Sequence, residues 1–252
     1  MKVARDTLKN HMELFQPIMI ARIVGFAKTS LLDWDGMVAT TVYLQGCNLR
    51  CPFCHNPDLV AVSGEVEEAP WEVLEEYLAD NTDFLDGVVV TGGEPTLNED
   101  LPELIGKIRK LGLKVKLDTN GTNPDMLQDL LQAGLLDCVA MDLKGPLDQQ
   151  YSQVCDAEVD LEAIKRSINL IMTSGIDYEF RTTVVPHYLK PADIERMASY
   201  IGGAKKYALQ RFKNDRTLDK RLSQIDPYSE GQMLGMAETA RKYVKKVIVR
   251  GI

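Results

Sequence analysis

Gly46-Cys47-Asn48-Leu49-Arg50-Cys51-Pro52-Phe53-Cys54-His55-Asn56-Pro57 gathers three of the chain's five cysteines into one CxxxCxxC stretch. Glycine, asparagine and proline surround them, so the segment reads as a turn-rich loop. Thiolates this close repel one another when ionised, and a metal or oxidation relieves the crowding. An iron–sulfur cube carries an iron at each of four corners, so three thiolates leave one iron without a protein ligand. A catalytic metal keeps such a position open for its substrate. A zinc knot of the three cysteines with His55 and a redox-active cysteine cluster use the same residue types. His55 directly follows Cys54, however, and cannot easily reach the same ion.

Outward from the loop, the chain alternates strand and helix patterns. Ile18 to Ala27 is mostly apolar and is expected as a leading strand, followed by a turn over Ser30 to Gly36. Met37 to Gln45, rich in Val, Thr and Tyr, predicts the strand that delivers the cysteines at its C-terminal end. Pro70 suits the first turn of a helix with a Val73, Leu74, Tyr77 and Leu78 stripe. Then come a strand over Gly87 to Thr91, a helix bearing Leu101, Leu104, Ile105 and Ile108 and stopped by Gly112, and a strand from Leu113 to Leu117. Asn123-Pro124 starts a helix through Leu127, Leu130 and Leu131, and Cys138 to Leu143 is a strand. Further on, the pattern predicts a helix over 161–174, a strand over 178–185, a helix from Pro191 through Ile201, a strand over 207–212, a long helix over 230–245 and a final apolar run at Val247-Ile248-Val249. Such alternation means a mainly parallel sheet covered by helices. Six strand–helix units follow Met37, too few for a complete eight-stranded barrel.

At 252 residues and 45% hydrophobic content the chain can bury a sizeable core, and it reads as an N-terminal arm over 1–20 followed by one domain over 21–252. A net charge of −8 argues against a general binder of nucleic-acid backbones. Charged residues interrupt Met1 to Ile20, which therefore lacks a signal core, and no segment reaches transmembrane length, so no membrane is expected. An odd cysteine count with three clustered fits a reducing cytoplasm. Cys138 lies in an apolar strand and reads as core; Cys155 falls in a loop without a visible partner and receives no role. His187 follows Pro186 at a strand end and reads as a solvated loop residue.

The CxxxCx(aromatic)C spacing, with Phe53 in the aromatic place, resembles the signature of the radical S-adenosylmethionine (SAM) superfamily. That resemblance implies a partial (β/α)6 TIM-type barrel, a 4Fe-4S cluster on Cys47, Cys51 and Cys54, and SAM as cofactor. In such barrels the chemistry collects at the C-terminal strand ends, where the polar, glycine-rich stretches of this chain fall. Gly92-Gly93-Glu94-Pro95 resembles the stretch that binds the SAM amino group; its glycines let backbone approach a ligand closely. Asp118-Thr119-Asn120-Gly121 and Met141-Asp142-Leu143-Lys144 are similar to elements of the glycyl-radical enzyme activases. They imply that Lys144 pairs with the SAM carboxylate, and that Asp118, Thr119, the Met141 carbonyl and Asp142 surround a monovalent cation. Two aspartates facing one site raise each other's pKa, which a cation would relieve. Arg181 matches an arginine that touches SAM, Arg211 falls where the family contacts adenine, and Phe53 and His55 complete the cofactor-facing set.

Cys54-His55-Asn56-Pro57 is characteristic of those activases. Ser30 to Gly36, Thr41 to Asn48, Leu209 to Phe212 and Leu218-Asp219 resemble the activating proteins of anaerobic ribonucleoside-triphosphate reductase. That group commonly has proline where Asp35 stands, and no ferredoxin-like insertion follows Pro57. The resemblance implies reductive cleavage of SAM and hydrogen abstraction from a glycine of a partner glycyl-radical enzyme, with a flavodoxin or ferredoxin-type electron donor. The alternatives are another client, such as pyruvate formate-lyase, or a small molecule or nucleoside precursor as substrate.

Overall fold

β3 (Gly87–Gly92) sets the pattern for the sheet: Gly87-Val88-Val89-Val90 is buried on both faces, as a central parallel strand covered by helices must be. On one side it pairs in parallel with β2 (Ala39–Leu44), and on the other with β4 (Lys114–Thr119). The parallel run continues through β5 (Cys138–Asp142), β6 (Asp177–Val184), β7 (Tyr207–Arg211) and β8 (Val247–Arg250). β1 (Ile23–Ser30) is added antiparallel outside β2, so the strand order follows the sequence and β1 and β8 form the two edges. These facts come from a computed structural model that describes residues 22–60 and 68–252. The expected arm over 1–20 and the beginning of the expected leading strand lie outside the described residues.

Amphipathic helices cover the outside. α1 (Trp71–Asp80) buries Trp71, Leu74 and Leu78, whereas Val73 is 50% exposed and does not belong to the stripe. α2 (Leu101–Lys110) buries all four of its predicted residues, and Asn123 caps α3 (Pro124–Gln132) by accepting a bond from the Met126 N–H. Two helices depart from expectation. α4 (Gln149–Cys155) forms where the sequence suggested a loop, burying Tyr151, Val154 and Cys155 at i, i+3 and i+4. After α5 (Leu161–Thr173) and α6 (Pro191–Tyr200), α7 (Glu230–Ala240) ends five residues before the expected 245. The following segment is drawn off its axis because the Tyr243 carbonyl accepts the Gly203 N–H and the Lys245 N–H donates to Ala204.

At one end of the barrel Trp34 packs against the smaller Ala39, Val89 and Cys138; Cys138 is core, as expected. The edges β1 and β8 are not paired with each other, and charge spans the gap. Asp35, in the turn between β1 and β2, meets Lys206 at 3.1 Å and Arg250 at 3.0 Å, and both cations also hold the buried Glu179. Among the described residues, no helix is long and apolar enough to cross a membrane.

Candidate functional site

The C-terminal end of β2 carries the cysteine loop, and backbone bonds fix its path. Gly46 N–H donates to Leu59 at 2.8 Å, Cys54 N–H to Cys51 at 2.9 Å, and Arg50 N–H to Cys155 at 3.0 Å. The next strand end grips the same loop: Gly93 N–H donates to Leu44 at 2.9 Å and Glu94 N–H to Gly46 at 2.7 Å. A Cβ on Gly93 would collide with the Gly46 carbonyl, and one on Gly92, at φ +130°, with the Leu44 backbone. The glycines of this motif are therefore demanded first by the closeness of the cysteine loop.

Strand alternation points Thr41 and Tyr43 of β2, Asp118 of β4, Asp142 of β5, Arg181 and Thr183 of β6, and Gln210 of β7 to one side, where with Thr91 they line a cavity of about 420 Å³. The thiols of Cys47, Cys51 and Cys54 face the same space, with Phe53, His55, Gly92, Gly93, Glu94, Thr119 and Lys144. Arg181 bridges the two aspartates, Nη1 to Asp118 Oδ2 at 2.7 Å and Nε to Asp142 Oδ1 at 2.8 Å, while Lys144 Nζ takes Asp142 Oδ2 at 2.9 Å. Burial favours the neutral acid at Asp142, but these two cations outweigh it and hold its carboxyl well below the usual range. Asp118 Oδ1 faces Lys116 Nζ at 3.1 Å without the alignment of a hydrogen bond.

Glu94 is 1% exposed, and among the described residues no cation forms an ion pair with it. Instead its carboxylate accepts bonds from Thr96 N–H, Thr96 and Thr119 hydroxyls and Asn120 N–H, at 3.1, 2.5, 2.7 and 2.6 Å. Burial still raises its pKa against those donors. A buried carboxylate that lacks a cation and is aimed by four donors can take an ammonium group.

Burial pushes the Cys47 thiol up to about 11, with the Leu49 N–H opposing, and raises Cys54 as well. Cys51 moves down instead, the neighbouring Cys155 thiol favouring its thiolate. Among the described residues no three His, Cys, Asp or Glu side chains converge on a point where one metal ion would sit. A zinc ion needs that convergence at bond lengths near 2.0–2.3 Å, whereas a cube takes each thiolate on a separate iron. Three thiols spread over one wall of a cavity fit the cube. The oxygen set expected for a monovalent cation fits less well. Both oxygens of Asp142 are taken by Arg181 and Lys144, and the Thr119 hydroxyl is engaged with Glu94 and Gly121.

Pro95, Met141 and Arg211 do not line the cavity. Pro95 is buried in a short 3₁₀ turn, Met141 faces away toward Gly121, and Arg211 donates to the Tyr228 carbonyl at 2.7 Å. Met141 and Arg211 each stand one residue from a cavity-lining neighbour, Asp142 and Gln210, and adjacent strand residues face opposite ways. His187 is exposed, as expected. The sequence reading missed Asp33, Thr91 and Thr183; the two-residue strand period from Arg181 could have picked out Thr183, whereas Asp33 lies in the turn after β1.

Arg211 belongs to a second, outer cavity of about 750 Å³, which shares Asp33, His55, Arg181, Thr183 and Gln210 with the first. Leu31 and Leu32, 68% and 86% exposed, stand at its rim. The two cavities therefore adjoin along these five residues.

The sequence profile described as the Radical SAM superfamily matches residues 41–201. A protein of Methanocaldococcus jannaschii named as a glycyl-radical enzyme activating enzyme is 32% identical over 241 residues, 93% of this chain and 98% of its own length. The pyruvate formate-lyase-activating enzyme of Clostridium pasteurianum is 28% identical over 173 residues, covering 67% of this chain and 71% of that enzyme. Among solved structures, Streptococcus suis SuiB bound to its precursor peptide SuiA aligns with a TM-score of 0.64 at 16% identity, over 84% of this chain and 48% of that one. The chain thus spans about half the length of SuiB, and the likeness is one of fold.

Proposed function

Because the chain belongs to the radical SAM superfamily and, within it, to the glycyl-radical enzyme activating enzymes, we propose that it installs a radical on a glycine of anaerobic ribonucleoside-triphosphate reductase. The family uses a 4Fe-4S cluster and SAM. Together they supply one-electron cleavage of a carbon–sulfur bond and a radical that takes hydrogen from a glycine α-carbon. The protein contributes orientation and exclusion of water.

The observation that carries the proposal is the shared cavity: three thiols, an aimed carboxylate and two cations surround a space of about 420 Å³ that opens outward. In it Cys47, Cys51 and Cys54 hold the cluster, and the Glu94 carboxylate with the Gly92-Gly93 backbone receives the SAM ammonium. Lys144 and Arg181 face its carboxylate, and Phe53, His55 and Gln210 flank the remainder. Pro95 acts through the turn that positions Glu94, and Arg211 through the outer rim. A monovalent cation at Asp118, Thr119, the Met141 carbonyl and Asp142 enters only by exchange, displacing Arg181 or Lys144 from the carboxylates they now hold. The domain over 21–252 is supported by one sheet running from Ile23 to Arg250. Location in the cytoplasm and a flavodoxin or ferredoxin-type donor complete the proposal. The Clostridium match supports pyruvate formate-lyase as the second client to test.

The test is anaerobic reconstitution with iron and sulfide, reduction, and an assay for 5′-deoxyadenosine from SAM, with each client enzyme present or absent. Cleavage with a glycyl radical signal on the reductase, by electron paramagnetic resonance, is the expected result. A signal on pyruvate formate-lyase alone transfers the activity to the second client. A colourless protein that takes up zinc and ignores SAM defeats the proposal.

A further inference from the structure

Successive residues of the cysteine loop face opposite ways. Leu49, Cys51 and Phe53 line the inner cavity, whereas Arg50 and Pro52 line a separate groove of about 460 Å³. The loop there is a wall one chain thick. Bonds from the groove side hold it: the Asp219 N–H donates to the Pro52 carbonyl at 2.9 Å, and the Arg50 N–H to that of Cys155 at 3.0 Å. The Arg50 guanidinium turns back onto the Cys47 and Leu49 carbonyls, at 2.6 and 2.9 Å. An aromatic pair crosses the same wall. Tyr188, half-buried in the groove, meets Phe53, on the cavity side, with ring centroids 6.2 Å apart and an interplanar angle of 49°. Among the described residues, the groove shares no lining residue with either cavity.

The function proposed above, on which this inference rests, fills the inner cavity with cluster and SAM and gives the outer one to a client. An electron entering by either cavity would cross occupied space, whereas Pro52, in the groove, is covalently bonded to Cys51. We propose that the groove docks a small one-electron carrier protein whose flavin edge reaches its surface, and that the electron crosses the wall at Cys51-Pro52 and Phe53-Tyr188. The flavin loses one electron and the cluster gains it; no bond between heavy atoms forms or breaks. Pro52, Tyr188 and Leu218 offer apolar contact to a ring edge, with Gln153 and four charged side chains around them, the mixture of apolar and polar surface that protein interfaces use. Charge fits the same partner. The chain carries −8 overall, but in the groove Arg50 and Arg221 equal Asp156 and Asp219 in number. An anionic reduced flavin on an acidic carrier therefore meets less repulsion here than over the average surface. The Arg221 side chain, paired with Asp219 at 2.7 Å, is 91% exposed and within a partner's reach.

The experiment compares reconstituted full-length wild type with Gln153→Trp, which fills the groove from an exposed position on α4, and with Arg221→Ala. It measures iron content, the Kd of a flavodoxin by calorimetry, and the stopped-flow rate of cluster reduction by reduced flavodoxin and, separately, by dithionite. We expect Gln153→Trp to raise the Kd and lower the second-order rate with flavodoxin by about tenfold or more, as blocking an interface centre does. Arg221→Ala should change both by about threefold, as loss of a rim charge does. Iron content and reduction by dithionite, which is small enough to need no docking, should stay at wild-type values. A Gln153→Trp protein with full iron and wild-type Kd and rate overturns the proposal. So does a loss that dithionite reproduces, because the wall and not the docking is then at fault. If Gln153→Trp does not fold, Arg221→Ala with wild-type Kd and rate overturns it instead. A loss seen only when a ferredoxin replaces the flavodoxin overturns the choice of a flavin carrier. A wild type that takes up iron and cleaves SAM with dithionite but does not bind flavodoxin defeats this proposal alone; one that takes up no iron defeats the earlier reading with it.

Discussion

Removing the Arg181 guanidinium leaves Asp118 and Asp142 facing one cavity with, among the described residues, Lys116 and Lys144 to offset them. Arg181→Met should destabilise the cluster-free protein by about 3–5 kcal/mol in urea denaturation at pH 7, the range for a broken buried pair. The pH dependence has a definite sign. The folded pKa of Asp142 is depressed below its ordinary 3.8, so the pairing contributes above that value and is lost as pH falls through the lower one. The gap between wild type and variant should therefore close in acid, and a gap that is constant from pH 7 to below 3.8 would refute the ion-pair account. That the three cysteines, Glu94, Lys144 and Arg181 share one cavity was legible from the sequence, because their motifs fall at strand ends. The contact of Cys155 with the cysteine loop was not, since its carbonyl meets the Arg50 N–H, far away along the chain. Arg211 and the Met141 side chain do not line the cavity, because a motif spans consecutive residues while a strand shows only every other side chain to the site.

At the scale of elements, the strand ends of β2 and β3 pack so closely that one methyl group is too many. Gly93→Ala must push the Gly46 carbonyl aside. It should cost at least about 1–3 kcal/mol, as overpacking does, and should lower iron uptake on reconstitution. Gly235, on α7, has open space around its Cβ position. Gly235→Ala should be neutral or stabilising by about 0.5–1 kcal/mol, with full iron uptake, which separates a local collision from a general dislike of substitution. Calorimetry and iron analysis read both. Most elements could be seen beforehand because buried parallel strands are runs of Val, Ile and Leu, and helices cover them with one apolar stripe. α4 escaped notice because seven residues with three buried positions make too short a pattern. The early end of α7 reflects bonds to Gly203 and Ala204, which no local rule contains.

For the molecule as a whole, the alternation of patterns made the partial barrel legible, but not the way its edges are managed. The group that this chain resembles commonly has proline at the position of Asp35, and the aspartate here serves the gap between β1 and β8 through Lys206 and Arg250. Burial opposes ionisation of Asp35, yet the two cations lower its pKa. Its side chain is 47% exposed, so the link is worth little by itself. What matters more is that two cavities adjoin, with Asp33, His55, Arg181, Thr183 and Gln210 common to both. A client that filled the outer cavity and covered those shared residues would bar the inner one, and binding would then follow a compulsory order, small molecule before macromolecule, with release the reverse. Excess client should occupy the empty enzyme and slow its own activation. Initial rates measured against client concentration should rise and then fall, and the fall should disappear at saturating SAM; a simple hyperbola at low SAM would mean that the two cavities fill independently.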